Sequence, residues 1–220
     1  AGFRTLKRPL VNNQTLEPTQ LAGFNQFFDD VNATAATRYG VGLDYEPTTG
    51  VYAGIETSQR KLEVPFLAPT RITLEDETEY AHAAYIAWAI APRWTISTEY
   101  RIEEFEKDDQ LPTPTRPKRI ETRSLPVGVT YFHPNGLSAR LGVTAYEQYL
   151  VQTPTPTTQT EAEDEFALVD LRLGYRLPRR LGILSLDVHN LFDKSFRFHD
   201  ADFQTGIARE PVVRPERTAI

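Results

Sequence analysis

The chain has 220 residues, 24 of them basic and 30 acidic, for a formal charge of −6. It holds no cysteine, which excludes a disulfide framework and a thiolate metal centre. No Lys/Arg run exceeds two or three residues, which speaks against a nucleic-acid partner. No apolar run is long enough for a membrane-spanning helix, which needs about 18 residues or more. Methionine is also absent, and a chain beginning on Ala1 is expected to be a processed or excised piece. The lack of a visible signal peptide therefore decides nothing about export. A mean hydropathy of −0.43 reads as soluble. A β-barrel carries the same value easily, because half of each strand and its loops are polar.

In chain order, the first feature is a short apolar start, 3–8, too short to cross a bilayer. A polar stretch, 10–37, follows and carries Phe24, Phe27 and Phe28. Period-two alternation then recurs. Tyr39, Val41, Leu43 and Tyr45 alternate with Arg38, Gly40, Gly42 and Asp44. Val51, Ala53 and Ile55 alternate with Tyr52, Gly54 and Glu56. In 81–90, Ile86, Trp88 and Ile90 face one way and Ala83, Tyr85, Ala87 and Ala89 the other. An alanine-rich helix competes there; strand is preferred because the neighbours are strands and Pro92 follows. Trp94, Ile96, Tyr100 and Ile102 alternate with Thr95, Ser97, Glu99, Arg101 and Glu103. The pattern continues through Leu125–Tyr131 and Leu137–Ala145. It is clearest where Val169, Leu171, Leu173, Tyr175 and Leu177 alternate with Asp170, Arg172, Gly174 and Arg176.

Four connections are short and rich in Pro, Gly and Asn: 46–50, 91–93, 133–136 and 177–182. Long polar stretches, roughly 10–37, 65–77, 107–121, 153–163 and 195–213, lie between them. The short turns recur at near-equal spacing, one up-and-down strand pair each time, but the loops share no repeat motif. Strands of about 10 to 15 residues are expected, against about 5 to 6 in soluble proteins. A soluble antiparallel sandwich or lipocalin-like barrel shows the same alternation, with its apolar face turned into a core. Strand length and the unequal connections favour an all-β, antiparallel up-and-down transmembrane β-barrel as a single domain over 1–220. About ten strands are expected, with short periplasmic turns and long extracellular loops. Tyr39, Tyr45, Trp94, Tyr100, Tyr131, Tyr149 and Tyr175 are placed on apolar faces near strand ends, as interfacial girdles require.

The stretch "LDVHNLFDKSF", 186–196, resembles the penultimate strand of TonB-dependent receptors of Gram-negative outer membranes, and "RPERTAI", 214–220, resembles the start of that family's closing strand. A second stretch, "QTLEPTQLAGFNQFFDD", 14–30, resembles outer-membrane barrels joined to tetratricopeptide repeats. The resemblance implies a Gram-negative outer-membrane location, solute uptake or binding, and the TonB system as a partner. It places Leu184, Leu186 and Val188 against lipid and Ser185, Asp187 and His189 in the lumen. The strand then leaves the bilayer at Asn190–Lys194, with Phe192 at the interface. The chain departs from the family in lacking a plug-like segment, a TonB-box-like stretch and a terminal aromatic residue. It reads as the C-terminal part of a larger barrel whose remaining strands, or another subunit, complete it.

Candidate lumen residues are Glu56, Arg60, Glu99, Arg101, Glu103, Arg140, Asp170, Arg172, Arg176, Asp187 and His189. The plainer reading of any one of them is a salt bridge to a neighbouring strand. Of the four histidines, His133 sits in a turn; His189 near Asp187 and His199 beside Asp200 are poor metal candidates without further converging ligands. The pairs Asp29–Asp30 and His199–Asp200 admit a rim protease, but adjacent loop acids are usually just solvated. No nucleophile elbow or phosphate loop is present. The expectation is therefore no enzyme, no cofactor and no metal, with outer-membrane lipid as the main partner. The competing functions are export of a polysaccharide or other polymer, and a structural or interaction barrel of an envelope complex. Three structural expectations follow. The four short turns share one, periplasmic, end. Leu141, Val143, Leu171, Leu173, Leu184 and Leu186 point outward to lipid. The strand at 38–45 does not close onto 185–192.

Overall fold

The computed structural model describes residues 2–6, 19–21, 24–26, 33–67, 72–108, 117–155 and 158–198. Its strands are β1 (Gly2–Leu6), β2 (Thr19–Leu21), β3 (Phe24–Gln26), β4 (Ala35–Thr48), β5 (Val51–Leu67), β6 (Ile72–Ala91), β7 (Trp94–Lys107), β8 (Pro117–Phe132), β9 (Leu137–Thr155), β10 (Thr158–Arg176) and β11 (Ile183–Val188). A single 3₁₀ turn, Pro178–Arg180, lies between β10 and β11. Strands β2 and β3 form a separate hairpin within the stretch expected to be a loop. All the others make one nine-stranded sheet in the order β1-β4-β5-β6-β7-β8-β9-β10-β11.

Every neighbouring pair is antiparallel, so β4 to β11 is an uninterrupted up-and-down meander. The four short connections consequently lie at one end of the sheet, as expected. Their chemistry explains why they are tight. Gly50 and Gly136 take φ of +82° and +93°, where a side chain is strained. In the 133–136 turn, Asn135 Oδ1 accepts the Leu137 N–H at 3.0 Å, the local bond that suits asparagine to turns. His133 accepts the Asn135 N–H through Nδ1 at 3.3 Å, a purely local role. The 81–90 segment is strand throughout, inside β6.

The long loops expected at 65–77 and 153–163 are a correction, because most of those residues continue the ladder: β5 runs 17 residues, β6 20, and β9 and β10 19 each. Of 107–121, Lys107 and 117–121 are strand and 109–116 lie outside the described residues. The strands there remain alternating, but the apolar residues change face. In β10, Glu161, Glu163 and Glu165 alternate with Ala162, Asp164 and Phe166, so the stretch reads as polar when only one face is followed.

The sheet is not closed. Among the described residues, strand β1 pairs only with the start of β4, Ala35 to Tyr39, and β11 pairs on one side, with β10. Among the described residues nothing joins β4 to β11, as expected. The segments 214–220, Asp29–Asp30 and His199–Asp200 lie outside the described residues.

Candidate functional site: two faces that exchange character

Directly opposed residues of an antiparallel pair project from the same face, so the register lets one row be followed across the sheet. Val51, Trp88, Ile96, Val129, Leu141, Leu171 and Val188 form one such row, and Ala53, Ile86, Thr98, Val127, Val143 and Val169 the next. Tyr39, Val41, Leu43 and Tyr45 extend the same face along β4. These side chains are bulky, apolar and open: Val41 is 65% exposed, Ile55 60% and Leu186 59%. Leu141, Val143, Leu171, Leu173, Leu184 and Leu186 share this outer face. The belt is about nine residues deep on β7, β9 and β10, roughly 30 Å along a strand at about 3.4 Å per residue.

Away from the short turns the belt ends abruptly. The row Thr57, His82, Ile102, Arg123, Glu147 and Glu165 is already polar on five of its six strands. The next row is Gln59, Tyr80, Glu104, Glu121, Tyr149 and Glu163. Here the outer face carries a ladder of ion pairs: Arg119 to Glu104 at 2.8 Å and Glu121 at 3.2 Å, Arg123 to Glu121 at 2.7 Å and Glu147 at 3.3 Å. Exposed pairs of this kind contribute little stability each, about 0–1 kcal/mol. They make this stretch of the face charged where the belt is apolar.

The inner face gains buried apolar residues beside the ion-pair ladder, Ala36, Leu62, Val64, Ile120 and Phe166, interleaved with buried polar ones, Ser58, Glu75, Glu77, Lys107, Thr122 and Gln148. Tyr146, Phe166 and Phe196 stack in sequence, with centroids 5.0 and 4.4 Å apart. Behind the belt the inner face is instead small and polar. The glycines Gly40, Gly42, Gly54, Gly128, Gly142 and Gly174 all fall on it. Two of them let a side chain cross an entire strand. Tyr85 of β6 reaches over Gly54 of β5 to donate to Asp44 of β4 at 2.5 Å. Arg140 of β9 reaches over Gly128 of β8 to Ser97 of β7 at 3.4 Å.

The lumen candidates named from the sequence share the face opposite the belt, and most are engaged with each other. Arg60 bonds Glu79 at 3.0 Å; Arg101 pairs with Glu99 at 2.5 Å and with Glu103 at 3.4 Å; Arg172 donates to Asp187. Asp170 accepts the Asn190 N–H at 2.9 Å and stands 3.6 Å from His189. With Asp187 held by Arg172 and His189 turned to Asp170, these two residues do not converge on a metal. On the outer face Glu147, Glu163 and Glu165 bring carboxylate oxygens within 4.8 Å of one another. Acids this close are ordinary on a solvated surface. Sequence reasoning missed the buried Lys107, 2.9 Å from Glu75 and opposite Glu77. All three lie where the face assignment had been taken as lost in a loop.

The aromatic residues divide between the belt's two margins. Tyr45, Trp94, Tyr131 and Tyr175 adjoin the short turns, and Trp94 and Tyr131 pack with centroids 4.7 Å apart. Tyr39 and Tyr100 stand at the other margin. Tyr149 is a correction, since it lies within the charged rows.

Strand β11 ends at Val188 and the Asn190–Lys194 stretch is a turn, as the break in alternation suggests. Asn190 is buried at φ +51° and pins a tight loop: its Nδ2 donates to the Lys194 carbonyl at 3.0 Å and its Oδ1 accepts the Lys194 N–H at 2.9 Å. The chain then returns to the side of β10, where the Arg197 N–H donates to Asp164 and Phe196 stacks on Phe166. Phe192 is exposed on the loop, 75%.

No known protein family, curated protein or solved structure matches the chain.

Proposed function

We infer that this chain is wall of an outer-membrane β-barrel, with its apolar belt in lipid, its charged rows standing above the bilayer, and its small polar inner face lining a path or binding lumen for a solute. One observation carries the reading: at one level the belt face turns from apolar to polar on five of the six strands β5 to β10, and beyond the belt buried apolar residues appear on the opposite face of β5, β8 and β10. A water-soluble sandwich buries one face along its whole length. A strand that crosses lipid and continues into water must change which face is apolar where it leaves the hydrocarbon. The belt's depth fits, since about nine residues tilted by about 45° give roughly 20 Å of height, near the ≈25 Å of barrel apolar bands. The short turns then face the periplasm. The resemblance of 186–196 to TonB-dependent receptors makes solute uptake or binding the preferred activity over polymer export or a purely structural role.

The chain's two tryptophans make the test direct. Trp88 and Trp94 are both on the belt and 50% and 43% exposed. Refolded into phosphatidylcholine vesicles, the protein should float with the lipid, and brominated acyl chains should quench its fluorescence while aqueous iodide does not. Iodide quenching that vesicles leave unchanged would refute the membrane reading.

A further inference from the structure

The inner wall is not evenly compensated. On β5 to β7 its cations meet carboxylates: Arg60 with Glu79, Arg101 with Glu99, Lys107 with Glu75. On β10, Arg172 meets Asp187. Arg140 is different. It stands directly opposite Thr130 on β8 and directly opposite a second arginine, Arg172, on β10. Like charges so placed repel unless something between them is negative. The nearby acids are engaged elsewhere: Glu99 by Arg101, Asp187 by Arg172, Asp170 by the Asn190 N–H. Among the described residues the partner Arg140 has is the Ser97 hydroxyl, at 3.4 Å.

The surroundings suit an oxygen-rich anion. Gly128 and Gly142 face each other across the β8–β9 ladder and leave the floor open. A Cβ at Gly128 would lie 2.7 Å from Arg140 Nη2, so the glycine is what lets the guanidinium lie there. Ser97 sits beside Gly128, and Thr95, Thr130 and Arg140 are opposed in one row, so hydroxyl donors flank the cation. A guanidinium presents several N–H donors in a plane that matches a carboxylate or phosphate. We propose that Arg140, with Ser97 and Thr130, is an oxyanion-binding station on the inner wall that takes the carboxylate or phosphate group of a solute. The proposal rests on the reading of this wall as the lining of a solute lumen.

The test uses the full chain in phosphatidylcholine vesicles, with inorganic phosphate as ligand, followed by phosphorus NMR line broadening. Wild type should bind saturably. Arg140→Gln should weaken binding at least tenfold, Arg140→Lys should retain part of it, and Arg123→Gln, on the outer charged rows, should leave it unchanged. Ser97→Ala offers a second, milder variant, expected to weaken binding a few-fold should Arg140→Gln fail to fold. Absence of saturable binding, or binding indifferent to Arg140→Gln or, in its stead, to Ser97→Ala, overturns the station. Flotation on the same samples separates the two readings. Phosphate binding that depends on Arg140 in protein that does not float keeps the station and removes the membrane. Floating protein that ignores phosphate does the reverse.

Discussion

At the scale of single residues, the inner wall is organised by where side chains are missing. Gly54 is buried beneath the Tyr85–Asp44 bridge, and a Cβ there would meet Tyr85 ring atoms at 2.5 and 2.6 Å and Asp44 Oδ1 at 2.7 Å. A rigid ring cannot step aside as a flexible chain end can. Gly54→Ala should therefore destabilise the protein by about 1–3 kcal/mol, as overpacking does. Gly142→Ala should change stability by no more than about 0.5 kcal/mol, because nothing lies within 4 Å of its added Cβ. Urea unfolding in micelles measures both, and equal effects would show that the bridge has no structural weight. The sequence shows these glycines on the polar side of the alternation. It does not show that one of them is a window for a tyrosine two strands from the aspartate it binds, because cross-strand reach appears only once the register is set.

At the scale of elements, alternation located β4 to β11 and their short turns correctly, because period two survives without knowledge of partners. It misjudged their length. Leu62, Val64, Ile120 and Phe166 continue the alternation on the opposite face, and a reader following one apolar face sees it stop. The exchange of faces has a mutational signature. Leu173→Arg, on the belt, should cost about 2–4 kcal/mol in vesicles if it sits near the midplane. Glu165→Arg, on the same face of the same strand, should cost far less. Comparable costs, measured by guanidinium unfolding in vesicles, would contradict the inversion.

The Asn190 loop is a second case at this scale. The motif was legible, but its position inside the edge was not, because the bonds that hold it run to a backbone four residues away. Asn190→Ala removes both and takes these partners from the Lys194 N–H and carbonyl, an expected loss of about 1–3 kcal/mol for the two bonds. Asn190→Asp keeps the acceptor and tolerates the left-handed backbone, so it should lose less. Thermal unfolding of the two variants orders them.

For the whole molecule, the sheet's two edges are the open question that its physics poses. From Gly40 to Thr48, β4 has no described neighbour beyond it, and neither does the far side of β11. Both edges lie in the apolar belt, where an unpaired backbone group in lipid costs several kcal/mol. A barrel wall therefore needs strands against both. In the isolated 220-residue chain the edges should also be the least protected part. Hydrogen exchange should be faster in β4 and β11 than in β7, β8 and β9, which have partners on both sides.

The central claim is that one face passes from lipid to water along a strand. The absence of native cysteine lets single nitroxide labels be placed cleanly. The decisive measurement is a label scan of the outer face of β10 at Glu161, Glu163, Glu165, Ala167, Val169, Leu171 and Leu173, reading relaxation by oxygen and by a water-soluble nickel chelate in vesicles. The account predicts that the chelate dominates at 161, 163 and 165 and oxygen from 167 to 173, with the step between Glu165 and Ala167. Chelate access at 169 to 173 equal to that at 163, or protection of those positions from both relaxants, would contradict it.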